Sequence, residues 1–176
     1  MRLFVAINLG ANTKEQLLSL QAKLRQQATG GNFTQAANLH LTLAFLGECS
    51  LEQRQEVSAQ LQPLSFAPFA LEITHLGRFS RPEGALWWAG VEPTPELLAL
   101  HSAVAASLQR AGFPKEERPY SPHITLGRQV LAEYQPHQVS PFGESCHSFE
   151  LMESTRLAGK LVYRQLQSIP AQAAKP

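Results

Sequence analysis

The amino-acid sequence predicts an α+β fold in which antiparallel strands and helices occur in mixed order. Apolar runs of strand length alternate irregularly with amphipathic segments that begin at helix-capping residues. Two pairs of strand-like runs are joined by short turn sequences, as in antiparallel hairpins. The chain has 176 residues, 44% of them hydrophobic and 16% charged, which fits one globular domain with a sizeable core.

The first predicted elements are a strand and a helix. Residues 3–7 form an apolar run that reads as a central strand. Thr13 and Gln16 match a capping box, so we expect a helix to begin there. The sequence Gly30-Gly31-Asn32 is predicted to end that helix.

A second helix and a hairpin are predicted next. Ser50 and Gln53 match another capping box, and the amphipathic pattern continues to Pro63. Residues 69–76 and 85–91 have strand character and are separated by a turn that contains proline and glycine. They are predicted to pair as a hairpin.

The last third of the chain repeats this mixture. Thr94, followed by proline and glutamate, predicts the start of a helix that ends at Gly112. Residues 133–141 are polar and read as a loop, whereas residues 149–154 and 160–167 read as a final strand pair. We expect one domain over residues 1–170 and a frayed tail from residue 171 to residue 176.

Two further strand-like stretches share the pattern His-apolar-Thr-apolar. The first contains His40 and Thr42, and the second contains His123 and Thr125. Because a strand alternates its side chains between two faces, each histidine lies beside its threonine on the face opposite the apolar residues. In the first stretch four apolar side chains are predicted to face the core: Leu39, Leu41, Leu43 and Phe45.

The paired pattern indicates acid–base chemistry on a phosphodiester. Imidazole is the side chain whose ordinary pKa, about 6.5, lies nearest neutrality. Of two such rings facing one substrate, one can take a proton from water while the other gives a proton to a leaving group. The hydroxyls of Thr42 and Thr125 can bind phosphate oxygens. One such stretch alone would read as an ordinary strand with a half-buried histidine, but two favour a site.

Arg128 and two tryptophans are further candidates for the same site. Arg128 can grip a phosphate with two parallel hydrogen bonds, yet strict alternation places it on the face away from His123. It joins the site only if Gly127 bends the strand or the strand has ended. Trp87 and Trp88 face opposite ways, so that one is predicted in the core and the other can edge the site.

Several polar residues have a simpler interpretation. We predict surface or hydrogen-bonded structural roles for four histidines and a solvated loop for two cations: His75, His101, His137 and His147, with Lys115 and Arg118. Phe4 can approach the site by the same argument as the tryptophans. The sequence lacks His-x-His, His-Glu-x-x-His and Cys-x-x-Cys patterns, so neither a metal nor another cofactor is expected.

The overall charge excludes some kinds of partner. A formal net charge of +1 gives no general attraction to nucleic acid, so a nucleic-acid substrate would be held locally, at one end. Cys49 and Cys146 do not make a disulfide framework. The N-terminus lacks a signal-peptide pattern and no apolar run spans a bilayer. We therefore expect a cytoplasmic protein, not bound to a membrane, that acts as a monomer.

The motifs resemble a known group of enzymes. The chain is similar to the two-histidine phosphoesterase superfamily and, within it, to the bacterial 2′-5′ RNA ligases, also called RNA 2′,3′-cyclic phosphodiesterases. The resemblance covers nearly the whole chain and rests on these sequences: Arg2-Leu3-Phe4-Val5-Ala6-Ile7, Asn38-Leu39-His40-Leu41-Thr42-Leu43 with Phe45-Leu46-Gly47, and Pro122-His123-Ile124-Thr125-Leu126.

The resemblance implies a fold and an activity. The expected fold is bilobal, with two antiparallel sheets, outer helices and a central cleft lined by the two motif strands. The expected reaction opens RNA 2′,3′-cyclic phosphate ends to 2′-phosphomonoesters without metal, with possible reversible 2′-5′ ligation. The resemblance implies that His40 donates and His123 accepts the proton, whereas the residues alone leave the roles open. A phosphodiesterase of small cyclic nucleotides and a non-catalytic module that binds RNA ends remain alternatives.

Overall fold

Residues 1–173 are described by the computed structural model. Its nine strands are β1 (Arg2–Asn8), β2 (Ala28–Phe33), β3 (His40–Glu48), β4 (Phe69–Phe79), β5 (Ala85–Val91), β6 (His123–Ala132), β7 (His137–Cys146), β8 (Ser148–Leu157) and β9 (Lys160–Pro170). Its helices are α1 (Ala11–Gln26), α2 (Leu51–Leu61) and α3 (Pro95–Arg110), with one 3-10 turn over Ala36–Asn38. In this range no helix combines the length and hydrophobicity needed to cross a membrane.

The strands form two antiparallel sheets. One has four strands in the order β3-β1-β8-β9, and the other has five in the order β2-β6-β5-β4-β7. All neighbouring strands run antiparallel. The first motif strand, β3, is an edge of the four-stranded sheet, and the second, β6, lies inside the five-stranded sheet. The α+β prediction is confirmed.

The main hydrophobic core joins the two sheets. It includes Leu41 and Phe149 from the four-stranded sheet, and Trp87 and Ile124 from the five-stranded sheet. Helix α1 contacts β6, β2 and β7, whereas α3 contacts α2, β3 and β4. The core side chains lie on one face of each sheet. We call the opposite face, which carries the motif histidine and threonine, the motif face.

The predicted starts of α2 and α3 are confirmed by local hydrogen bonds. At the start of α2 the Ser50 hydroxyl accepts from Gln53 N at 3.1 Å, while Ser50 N donates to Gln53 Oε1 at 2.9 Å. At the start of α3, Thr94 Oγ1 accepts from Leu97 N at 3.3 Å. Both predicted hairpins form, β4 with β5 and β8 with β9.

Helix α1 begins earlier than its capping-box match predicts. It starts at Ala11 after Gly10, and Thr13 is buried within the helix. The backbone N–H of Gly10 donates to both carboxylate oxygens of Glu144, at 2.8 and 3.1 Å. Because a carboxylate from a distant strand holds this end of the helix, the predicted capping box of Thr13 and Gln16 is wrong.

Two strands were missed because their sequences are polar. The Gly30-Gly31-Asn32 sequence does not end α1, which stops at Gln26, but lies within β2. Residues 133–141, predicted as a loop, include the first half of β7. Both strands are edges of the five-stranded sheet, where side chains stay exposed and the apolar alternation that predicts a strand is weak.

One predicted core residue lies on the wrong side of β3. Val5 pairs with Ala44 and Ala6 pairs with Thr42, so β3 has one residue more than β1 between these pairs. A β-bulge of this kind reverses the two faces beyond it. The prediction that Phe45 points into the core is therefore wrong: its side chain is 75% exposed and lies on the motif face.

The chain after β9 is anchored at its beginning. Ala171 N donates to His147 O at 2.7 Å, and Gln172 N donates to Phe66 O at 2.8 Å. These two residues of the predicted frayed tail are therefore hydrogen-bonded to the fold. The remaining part of that prediction, residues 174–176, lies outside the described residues.

Candidate active site

His40 is held by its own strand and by two aromatic rings. Its Nδ1 lies 2.8 Å from Asn38 O, and its Nε2 lies 2.8 Å from Thr42 Oγ1. The ring centroids of Phe4 and Tyr163 lie 5.0 and 5.2 Å from that of His40. These contacts leave the imidazole half-buried and fix its orientation.

His123 has the same local geometry on the other sheet. Its Nδ1 lies 2.7 Å from Ser121 O, which again is the carbonyl two residues earlier. The rings of Phe79 and Trp88 lie 5.6 and 5.9 Å away, centroid to centroid. Nε2 of His123 has no hydrogen-bond partner among residues 1–173 and is free to act on a ligand.

The carbonyl contacts define the tautomer of both rings. A carbonyl oxygen only accepts hydrogen bonds, so Nδ1 of each histidine carries a hydrogen and Nε2 is the nitrogen that gains or loses a proton. In neutral His40 the Thr42 hydroxyl donates to Nε2, and in the protonated ring the direction reverses. Both histidines therefore present the same nitrogen for proton transfer.

The two motif strands approach each other although they belong to different sheets. Strands β3 and β6 are in contact, and Tyr120, just before the second motif, donates from its hydroxyl to Thr42 O at 2.8 Å. The positive charge of protonated His123 is near enough to disfavour protonation of His40. The strands that carry the two predicted motifs are thus neighbours across the two sheets.

Arg128 joins this region because β6 contains a bulge. Thr125 pairs with Trp88 and Gly127 pairs with Trp87, so one extra residue separates these pairs on β6. The bulge reverses the faces and turns Arg128 from the core side to the motif face. Its charge acts on His40. Of the two faces left open by the sequence, Arg128 lies on the motif face of β6.

Burial lowers the pKa of His40 below its ordinary value of 6.5. The hydrogen bond to Asn38 O works in the opposite direction, because it favours the protonated ring. The positive charges of Arg128, Lys14 and His123 lower the pKa of His40 further. The free protein therefore holds His40 mainly neutral near pH 7, and an anion bound between these cations would favour its protonation.

This electrostatic arrangement predicts the titration of His40. In a proton NMR titration of the free protein, the midpoint for His40 is expected below 6.5 and should rise when inorganic phosphate binds, since the anion stabilises the imidazolium. The His40→Gln variant assigns the resonance. A midpoint above 6.5 in the free protein, or one that phosphate leaves unchanged, would contradict the arrangement.

The aromatic residues divide as the alternation predicts. Trp87 is fully buried in the core, whereas Trp88 is half-buried on the motif face beside His123. Phe4 is buried next to His40. Tyr163, from β9, was missed because its strand pairs with neither motif strand.

The remaining candidates have other surroundings. His101 stacks on Tyr120 with ring centroids 3.8 Å apart, and His137 Nδ1 lies 2.9 Å from Gln135 O on the exposed start of β7. Arg118 is 90% exposed and pairs with Glu116 at 3.6 Å. The solvated interpretation of Arg118 is therefore confirmed.

Lys14 is a cation that sequence reasoning missed. It belongs to the first turn of α1, which follows directly after β1, and the end of β1 pairs with His40 through Asn8. A lysine on a helix is most often solvated, so its sequence carries no signal. The strand register against β3 is the information that places Lys14 near His40.

No cluster of three or more His, Cys, Asp or Glu side chains within residues 1–173 could hold a metal ion.

A two-sheet α+β domain with one His-x-Thr strand on each motif face is the architecture of a two-histidine phosphoesterase. The family model of the 2′-5′ RNA ligase superfamily matches residues 22–141. The RNA 2′,3′-cyclic phosphodiesterase of Thermotoga maritima is 34% identical over 73% of this chain and 70% of its own, and that of Archaeoglobus fulgidus is 28% identical over 95% and 98%. The chain belongs to the 2′-5′ RNA ligase superfamily.

Solved structures agree with this assignment. Escherichia coli LigT complexed with 3′-AMP superposes with a TM-score of 0.84 at 30% identity, over 97% of each chain. A protein of Thermus thermophilus superposes with a TM-score of 0.85 at 27% identity, over 99% of this chain and 100% of its own.

Proposed function

We propose that this protein is an RNA 2′,3′-cyclic phosphodiesterase that leaves 2′-phosphomonoesters and needs no metal. The observation that carries the proposal is the matched orientation of His40 and His123, each with Nδ1 held by the carbonyl two residues earlier. The names of the relatives support it. So does E. coli LigT, whose structures are complexed with 3′-AMP and with phosphate.

The proposed site is a cleft between the two motif faces. The cyclic phosphate lies between the histidines, where Arg128 offers two parallel N–H groups to its oxygens. The hydroxyls of Thr42 and Thr125 supply further donors. Lys14 adds a positive charge on the His40 side. These groups hold an anion at the position where the proton transfers take place.

The proposed reaction is one displacement at phosphorus. Nε2 of neutral His123 takes a proton from water while the water oxygen attacks the phosphorus atom. The bond from phosphorus to the ribose 3′ oxygen breaks, and Nε2–H of protonated His40 gives that oxygen its proton. The product is a 2′-phosphomonoester with a free 3′-hydroxyl. In the free protein Nε2 of His40 is hydrogen-bonded to Thr42 Oγ1. When substrate binds, the 3′ oxygen takes the place of this hydroxyl.

The lowered pKa of His40 is consistent with this acid role once substrate is bound. In the free protein, burial and neighbouring cations disfavour the protonated form of His40. A phosphate anion between His40 and Arg128 offsets both effects and raises the protonated fraction. Protonation of the acid is thus coupled to arrival of the substrate.

The same residues can join RNA ends. If a 5′-hydroxyl takes the place of water, its attack on the cyclic phosphate gives a 2′-5′ phosphodiester. Microscopic reversibility makes the acid of one direction the base of the other. We propose reversible 2′-5′ ligation as a second reaction of this site, in a monomer that works in the cytoplasm.

The proposal predicts turnover in EDTA. An RNA oligonucleotide with a 2′,3′-cyclic phosphate end should be opened to its 2′-phosphate at the same rate with and without the chelator, because imidazoles carry out both proton transfers. The product is resolved by phosphorus NMR. Activity lost in EDTA and restored by one divalent ion would contradict the mechanism.

A parallel assay separates the alternative activities. If cyclic mononucleotides are opened faster than the RNA, the protein is an enzyme of small cyclic nucleotides. Binding of the RNA end without turnover would identify a binding module. A 3′-phosphate product would mean that the 2′ oxygen, and not the 3′ oxygen, leaves.

A further inference from the structure

Exposed aromatic side chains occur at two places in the described chain. Among the phenylalanine, tryptophan and tyrosine residues of 1–173, only Phe45 and Phe79 are exposed, at 75% and 38%. Phe45 lies on the His40 side, 6.4 Å from the Phe4 ring. Phe79 lies 5.6 Å from the His123 ring. Each motif histidine therefore has one solvent-facing phenyl ring on its own side of the site.

The ring of Phe79 belongs to a larger aromatic surface. Its centroid lies 5.3 Å from that of Trp88. Trp88 covers the backbone of its cross-strand partner Gly77, where a Cβ atom would overlap the indole ring. With glycine beneath it, the indole lies close to the sheet and packs beside the exposed ring of Phe79.

His75 extends the same surface because of a third bulge. Ile73 pairs with Val91 and His75 pairs with Gly90, so β4 has one residue more than β5 between these pairs. Strict alternation would bury His75 with Ile73, but the bulge turns it to the motif face. Its ring lies over Gly90, whose next neighbour across the sheet is His123. Its edge contacts Trp88, with centroids 5.4 Å apart.

We infer that Phe79, Trp88 and His75 form an acceptor platform, a subsite for the nucleoside that carries an attacking 5′-hydroxyl. The inference rests on the proposed function and on its assignment of His123 as the base. Attacking and leaving oxygens lie on opposite sides of phosphorus in such a displacement. The leaving 3′ oxygen is on the His40 side, so the attacking group comes from the His123 side, where the platform lies.

The chemistry of the platform fits a nucleoside better than water. Base–aromatic stacking binds any base through its π face, whereas a water molecule gains nothing from an exposed phenyl ring. In the proposed step His123 Nε2 takes the proton of the 5′-hydroxyl, the 5′ oxygen bonds to phosphorus, and the bond to the 3′ oxygen breaks. His40 gives its proton to that oxygen. The product is a 2′-5′ diester with a free 3′-hydroxyl.

A partition experiment tests the platform. The protein is given adenosine 2′,3′-cyclic phosphate in water containing either adenosine or methanol, and transfer products are measured against the 2′-phosphate. At equal acceptor concentration, transfer to adenosine should exceed transfer to methanol by about tenfold or more, because only adenosine can stack on the platform. In Phe79→Leu, which keeps an apolar side chain without a π face, the ratio of transfer to adenosine over transfer to methanol should fall close to one, whatever the rate of hydrolysis.

The matched control is Phe45→Leu, on the His40 side. It should raise KM for the cyclic nucleotide and leave the acceptor preference unchanged. If Phe79→Leu is poorly folded, Phe79→Trp should retain or increase the preference. An equal use of adenosine and methanol by the parent protein would overturn the inference, as would an unchanged preference in Phe79→Leu. Absence of any 2′-phosphate would instead show that the proposed function itself fails.

Discussion

Replacement of either motif histidine by alanine is expected to lower kcat by about two to four orders of magnitude, the usual contribution of a general acid or base. His40 and His123 each present Nε2 for proton transfer and hold Nδ1 on a carbonyl. Neither side chain is part of the hydrophobic core. The variants should therefore fold and melt like the parent, which circular dichroism can check.

The chain contains a matched control for these variants. His137 also begins a strand and also has Nδ1 beside the carbonyl two residues earlier, at 2.9 Å from Gln135 O. It lies outside the site, so His137→Ala should keep the parent rate. Near-parent turnover in a folded His40→Ala or His123→Ala protein would show that the two-histidine mechanism is wrong.

Replacement of Arg128 by glutamine is expected to lower kcat by about a hundredfold, as when one preorganised donor to a developing oxyanion is removed. Arg128→Lys keeps the charge but loses the paired N–H groups, so it should recover only part of the rate. Arg118→Gln, on the exposed loop, is the control. Parent activity in Arg128→Gln would place Arg128 outside the phosphate site, despite the bulge that turns it inward.

The sequence predicted the parts of the site that follow regular alternation. His40 and Thr42 lie side by side on β3, and His123 and Thr125 do so on β6, because the period of a strand holds over these few residues. The capping residues of α2 and α3 were predictable for a similar reason, since their hydrogen bonds join residues three positions apart.

Regular alternation failed where a strand contains an extra residue. Phe45, Arg128 and His75 each follow a bulge and each lie on the face opposite to that predicted by strict counting. A bulge depends on how a strand pairs with its neighbour, and that register is not visible in one sequence. Each of these bulges turns a side chain toward the motif face, and for Phe45 the predicted position in the core was wrong.

Long-range contacts account for the other omissions. Glu144 holds the start of α1 across more than a hundred residues, and Lys14 approaches His40 through the pairing of β1 with β3. Tyr163 reaches His40 from β9, near the end of the chain. Each depends on which strands become neighbours, and hydrophobic periodicity does not determine that order.

The division of labour between the two histidines is the central claim, and a change of leaving group tests it most directly. The substrate is a 3′-deoxynucleoside 2′-phosphodiester, in which no neighbouring hydroxyl can attack phosphorus, and its other ester group is p-nitrophenolate, which leaves without needing a proton. Turnover is compared with that of the cyclic phosphate in His40→Gln and His123→Gln. We expect the nitrophenyl ester to restore most of the rate in His40→Gln, the variant without the acid, and little in His123→Gln. Rescue of His123→Gln alone would reverse the two roles, and equal loss on both substrates in both variants would contradict acid–base catalysis by this pair.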